Sequence, residues 1–269
     1  MITPKISFWL FTLLLPLLGQ GQDAPLKLLH TISITTKFIT TDKLQQLYVI
    51  TPQNTVIKFS PDGNEQYRFA NNTLGELGYV DATDPFNLLL YYPDYQLVVT
   101  LDRTMNEISR FNLLEAGILQ THTVGLSNEG NIWVYDEARF VLEKLARTGE
   151  VLLESQNLSL VLNQPPQPVQ IIAQDNFVYL NDPAQGILVF DNFGQYAKTI
   201  PIKNIARFQI LEDYLVHQQE KELLLYDLKT FLISKLHLSE STAGATQVQI
   251  QKNRLFAQKS NAIEIYNWQ

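Results

Sequence analysis

A unit of roughly 42 residues recurs along the chain, and few folds can accommodate such a repeat. Six aromatic or apolar residues, Tyr48, Tyr91, Trp133, Tyr179, Leu215 and Phe256, stand 36 to 46 residues apart. Each is followed within 12 residues by the end of another apolar run, at Phe59, Leu101, Lys144, Phe190, Tyr226 and Tyr266. The unit is clearest at 174–202. There Asp175 and Asn176 turn into Phe177-Val178-Tyr179-Leu180, a second turn at 181–186 leads to Ile187-Leu188-Val189-Phe190, and Asp191-Asn192-Phe193-Gly194 turns the chain into a run ending at Ile200. Short runs rich in β-branched and aromatic residues, punctuated by Asn, Asp, Pro and Gly, predict antiparallel strands, and helical periodicity is absent. Six such units predict an all-β fold, a six-bladed β-propeller of four-stranded blades.

Strands are expected at 37–41, 47–50, 56–59 and 66–69 in the first unit, and at 78–82, 88–92, 96–101 and 107–113 in the second. The third unit offers 121–126, 132–135, 140–146 and 151–154, the fourth 169–173, 177–180, 187–190 and 195–200, and the fifth 208–211, 214–217, 223–226 and 232–236. The sixth offers only 247–251, 255–258 and 262–266, while the run at 26–33 is left over at the other end. Pairing of that run as the outer strand of the last blade would complete it and leave no unpaired inner edge. Trp133 and Tyr179 are expected to anchor the packing between blades.

Residues 1–21 read as a secretory signal peptide. Lys5 precedes an apolar run at 6–18, and Gly19, Gln20 and Gly21 supply the small residues of a cleavage site. That run falls short of the ~20 residues needed to span a bilayer. Residues 22–269 then form one propeller domain, exported to the periplasm or the exterior, with no transmembrane segment after signal cleavage. The chain has no cysteine, which excludes disulfides and thiolate metal sites. With 20 Lys and Arg against 27 Asp and Glu, its net charge of −7 disfavours phosphate backbones, so nucleic acid is not an expected partner.

Tyr48-Val49 with Phe59 and Gly63, Val178-Tyr179 with Phe190-Asp191 and Gly194, and Tyr226-Asp227 resemble the six-bladed propellers of the NHL and TolB-like type. The WD type is not matched, since no Gly-His to Trp-Asp pairing recurs. The resemblance implies an architecture that enzymes, binding modules and scaffolds share, and leaves function open.

Chemistry-bearing patterns are sparse. His30, His122, His217 and His237 sit singly on different strands, without the spacing of a zinc motif. No Gly-x-Ser-x-Gly elbow is present. Propeller hydrolases that hold calcium at the axis draw Glu, Asn and Asp from inner strands, and here those strands offer mainly Asp81, with Asp84 just beyond it. No metal site is expected; if one exists, these two are its candidates, with oxygens available from the loops at 71–73 and 128–131, and if the chain is a binding module both should tolerate Ala without loss of folding.

One pattern recurs: Val169-Gln170-Ile171, Phe208-Gln209-Ile210 and Val248-Gln249-Ile250 place a glutamine between apolar residues in three successive innermost strands. Alternation turns each glutamine away from its neighbours. With Lys37 and His122, the three are candidate lining of the channel mouth, facing a neutral small ligand or another envelope protein. The competing reading is that the amides satisfy backbone groups where strands converge. The composite expectation is a non-catalytic binding or scaffold protein of the cell envelope that needs no cofactor. The alternative is a metal-assisted hydrolase, lactonase-like or sugar-acting, with its site at the axis.

Overall fold

The computed structural model describes residues 26–238, 240–242 and 244–267. The predicted signal peptide, 1–21, lies outside the described residues. Twenty-four strands form six four-stranded antiparallel sheets. From the axis outward, blade 1 holds Phe38–Thr41, Leu47–Ile50, Val56–Phe59 and Glu65–Phe69. Blade 2 holds Tyr79–Asp84, Asn87–Tyr92, Leu97–Asp102 and Glu107–Asn112. Blade 3 holds Val124–Leu126, Ile132–Asp136, Val141–Leu145 and Val151–Glu154. Blade 4 holds Gln170–Gln174, Phe177–Asp182, Gly186–Asp191 and Tyr196–Ile200. Blade 5 holds Gln209–Leu211, Tyr214–Gln219, Glu222–Asp227 and Ile233–His237. Blade 6 holds Gln247–Gln251, Arg254–Lys259 and Ala262–Asn267, and its outermost strand is Lys27–Ser33, paired antiparallel with Ala262–Asn267. Among the described residues, no helix is long and apolar enough to cross a membrane.

Alternation explains how the blades pack. On the second strand of blade 3, Ile132 and Val134 point into the core shared with blade 2, while Trp133 and Tyr135 point into the core shared with blade 4. The same division runs round the ring, so that each apolar cluster belongs to two neighbouring blades. The last one joins blade 6 to blade 1 through Phe256, Ile263 and Ile265 against Ile39, Leu47 and Val49. A middle strand therefore has both faces buried and reads as a continuous apolar run. Outer strands are mostly exposed and carry surface pairs such as Arg68–Glu65 and Arg110–Glu107.

The turns account for the recurring Phe-Asp and Gly signal. Phe190 is fully buried, and Asp191 Oδ1 accepts the backbone N–H groups of Phe193 at 2.9 Å and Gln195 at 2.8 Å. Gly194 takes a φ of +73° to close the turn, a region that side chains disfavour. Asp102 binds the N–H groups of Thr104 and Asn106 in the same way.

Blade 3 departs from the predicted boundaries. Its innermost strand begins at Val124 rather than at 121, because the Thr121 hydroxyl donates to the Thr123 carbonyl at 2.9 Å and folds the backbone locally. Its third strand carries a fully buried carboxylate, Glu143, bonded to Arg139 at 2.6 Å, and Arg139 also pairs with Glu154. Burial, reinforced by a hydrogen bond with Glu154, pushes the Glu143 carboxyl up to about 7 against the opposing pull of Arg139.

Two outcomes follow from this packing. Trp133→Ala, which empties a fully buried site, should cost about 3–5 kcal/mol in urea unfolding, and a loss near that of a surface substitution would place Trp133 outside the core. Glu143 holds its proton in the folded chain at pH values where the unfolded chain, with an ordinary value of 4.5, has released it. Its contribution to stability is therefore fully present below the unfolded value and lost as pH rises through the folded one. Glu143→Gln should flatten the fall in melting temperature between pH 5 and 8 relative to wild type, and an unchanged slope would show that Glu143 is not the titrating group.

Candidate functional site

The innermost strands converge on an axial channel, and their exposed edges need partners for backbone N–H and C=O groups. Side chains supply them across three successive blade junctions. Gln170 donates through Nε2 to the Phe208 carbonyl at 3.0 Å and accepts from the Phe208 N–H at 3.0 Å, tying blade 4 to blade 5. Gln209 accepts from the Ile250 N–H at 3.0 Å and donates to its carbonyl at 3.4 Å, tying blade 5 to blade 6. Gln247 accepts from the Ile39 N–H at 3.1 Å and donates to its carbonyl at 2.9 Å, tying blade 6 to blade 1. A carboxamide presents one donor face and one acceptor face, as a peptide group does, so it can substitute for a neighbouring strand.

At the junction of blades 2 and 3 the linking group is Asp81. Its Oδ2 accepts from the Leu126 N–H at 2.8 Å, while Oδ1 accepts from the N–H and hydroxyl of Thr83 at 2.9 and 2.7 Å. Burial raises its pKa, and these hydrogen bonds oppose the rise. Between blades 3 and 4 a glycine replaces the side-chain link. A Cβ on Gly125 would stand 2.7 Å from the Ile171 carbonyl oxygen, so the two strands approach backbone to backbone.

Two chambers open along the axis. The larger, about 870 Å³, is ringed by the first hairpin turn of every blade, including Leu44, Phe86, Asn128, Asp175, Glu212 and Lys252. The smaller, about 560 Å³, lies at the opposite mouth among Lys37, His217, Gln218, Gln249 and Gln258. Arg207 borders both. Its guanidinium lies 4.5 Å from the centre of the Phe38 ring and 5.7 Å from that of Tyr79, in cation–π contact. It forms no ion pair or hydrogen bond with any described residue.

The sequence-derived candidates are thus dispersed. Gln170 and Gln209 line the larger chamber, but their amides are committed to backbone. Gln249 borders both chambers and makes no side-chain hydrogen bond with the described residues, because Gln247, two positions earlier on the same face, makes the link to blade 1. Lys37 borders the smaller chamber and is held by Glu76 at 2.6 Å. His122 does not line the channel: it precedes the shortened innermost strand of blade 3 and sits exposed, its Nδ1 2.6 Å from Glu137. Asp81 and Asp84 both border the larger chamber. The oxygens of Asp84 accept from the Phe86 N–H at 2.9 Å and from Asn87 Nδ2 at 2.5 Å. Removing Asp81 would strip the buried Leu126 N–H of its acceptor, so Asp81→Ala is expected to cost stability even where the chain still folds. Among the described residues, no three His, Asp or Glu side chains gather as a metal site requires.

Arg207 was not singled out from the sequence. Its signal was its place beside Phe208-Gln209-Ile210, immediately before an innermost strand, where an arginine has few routes to solvent except the channel.

No protein-family model matches the sequence, and no curated protein is similar to it. Solved structures are similar in fold. The Pan2 WD40 domain of Neurospora crassa aligns with a TM-score of 0.61 at 11% identity, covering 90% of this chain and 95% of that one. A BBS1N structure, in complex with ARL6DN, aligns with a TM-score of 0.61 at 11% identity over 92% and 98%. A catalytically inactive virginiamycin B lyase from Staphylococcus aureus, with quinupristin, aligns with a TM-score of 0.58 at 10% identity over 91% and 100%. At such identities the likeness is one of fold alone: this chain is a six-bladed β-propeller, similar in fold to BBS1N and to virginiamycin B lyase.

Proposed function

We propose that this propeller is a non-catalytic binding protein that uses its axial channel and the surrounding turns to hold a partner or ligand. The observation that carries this reading is the state of Asp81. Three of its roughly four acceptor sites are taken by hydrogen bonds, one of which holds blade 3 to blade 2, and among the described residues it does not gather with two further His, Asp or Glu side chains as a metal site requires. Arg207 and Gln249, which make no side-chain hydrogen bond with the described residues, are hydrogen-bond donors at the axis suited to recognition. Exposed Leu44 and Phe86 on the rim of the larger chamber add apolar surface to that mouth. The structure of BBS1N with ARL6DN supports the idea that a propeller of this shape can serve as a protein-binding platform.

The proposed setting is the cell envelope. It rests on the apolar run at 6–18 and the small residues at 19–21. Expression of the full chain in a Gram-negative host should release a mature protein beginning at Gln22, read by N-terminal sequencing. Recovery only of uncleaved protein in the cytoplasm would remove the envelope setting.

The hydrolase alternative is separated by metal. Calorimetric titration of the purified protein with calcium and with zinc should give no stoichiometric site. Asp81→Ala should lower stability by about 1–3 kcal/mol through the orphaned Leu126 N–H. Stoichiometric micromolar calcium binding, lost in Asp81→Asn and Asp84→Asn, would overturn the binding reading and promote the hydrolase.

A further inference from the structure

A guanidinium inside a protein is ordinarily matched by a carboxylate or by several carbonyl oxygens, because an unpaired charge is costly to desolvate. Arg207 has neither among the described residues. It is part-buried at the axis, and its contacts are the faces of Phe38 and Tyr79, which steady the cation without using its N–H donors. Five directional donors are therefore available at the meeting point of two chambers.

The two chambers differ in charge. The larger is bordered by Asp81, Asp84, Asp175 and Glu212 against Lys43, Lys252 and Arg207, the smaller by Glu220 against Lys37 and Arg207, so that cations outnumber acids only in the smaller. The smaller one also collects polar atoms without partners. The amide of Gln249 makes no side-chain hydrogen bond with the described residues, whereas Nδ1 of His217 and Oε1 of Gln258 are unbonded but sealed from solvent behind the chamber wall. Burial holds the His217 imidazole below its usual pKa. A volume of about 560 Å³ suits a small molecule.

We propose that the smaller axial chamber binds a small organic carboxylate, its anionic group bonded by Arg207 and Gln249. This deepens the binding reading above and rests on it. It replaces the neutral ligand that the glutamine pattern suggested: two of those three amides are occupied by backbone, and the free donor beside the third is a cation. The planar fork of arginine matches a carboxylate with two parallel N–H donors, which a lysine cannot reproduce.

The test uses the purified full-length mature protein with lactate and N-acetylglycine as probes and N-acetylglycinamide as the neutral isostere. Calorimetry should show saturable binding of at least one carboxylate and none of the amide at matched concentration, with affinity falling as salt rises. Arg207→Gln should weaken that binding roughly 10- to 100-fold, the scale of hydrogen bonds to a charged group, with Arg207→Lys in between. Should Arg207→Gln fail to fold, the wild-type comparison of acid with amide and the Gln249→Met variant still decide the matter. The proposal is overturned if no probe binds at millimolar concentration, if acid and amide bind alike, if Arg207→Gln binds as wild type does, or if inorganic phosphate displaces the carboxylates. Failure here with metal titrations still negative leaves the binding reading standing. Metal binding lost in the aspartate variants would remove that reading instead.

Discussion

A propeller must solve one problem that an isolated sheet does not: each blade presents the edge of its innermost strand to a narrow channel, where water has limited access to backbone polar groups. Here the answer is side-chain mimicry of a neighbouring strand. Gln170, Gln209 and Gln247 each offer a donor and an acceptor to one residue of the next blade, and the geometry repeats across three junctions. Without these links the apolar cores between blades would still attract, but attraction between apolar faces is non-directional. The hydrogen bonds set the register of one blade against the next.

The same rule explains why the junctions between blades 2, 3 and 4 are built differently from these three. An amide can serve both groups of a peptide unit, a carboxylate only the N–H, and glycine removes the need by letting the backbones meet. Asp81 and Gly125 occupy the second and third of these roles. The channel wall is therefore asymmetric, with amides on blades 4 to 6 and an acid and a glycine on blades 2 and 3. An asymmetric wall gives a ligand a preferred orientation, which a six-fold repeated one could not.

What was legible in the sequence was whatever depends on local pattern. Strand positions, the Asp and Gly turns and the left-over run at 26–33 all follow from alternation and turn chemistry, and the structure places strands close to each of these segments. What was not legible depends on relations between blades. The choice of Gln247 over Gln249 as the link to blade 1 turns on the relative height of two strands about 200 residues apart in sequence, which no local pattern encodes. His122 was misplaced because Thr121 bends the chain before the strand begins, a competition between side chain and ladder that apolar periodicity does not register. Asp81 looked like a candidate ligand because a carboxylate on an inner strand can bind either a metal or a backbone N–H, and only the neighbouring blade shows which.

That distinction bears most directly on Arg207. Two of the channel's buried or part-buried ionisable groups, Asp81 and Arg207, are of opposite sign and are treated in opposite ways. Asp81 is surrounded by donors that satisfy both oxygens, as a group with a structural role would be. Among the described residues Arg207 meets the faces of Phe38 and Tyr79 and forms no hydrogen bond or ion pair, so its N–H donors stay unused. If its role were packing alone, an aliphatic side chain would fill the same space without the desolvation cost. Keeping the charge while withholding a protein partner leaves the cation to be matched from outside the chain, and the surrounding chamber has the volume and the donors to admit a small anion.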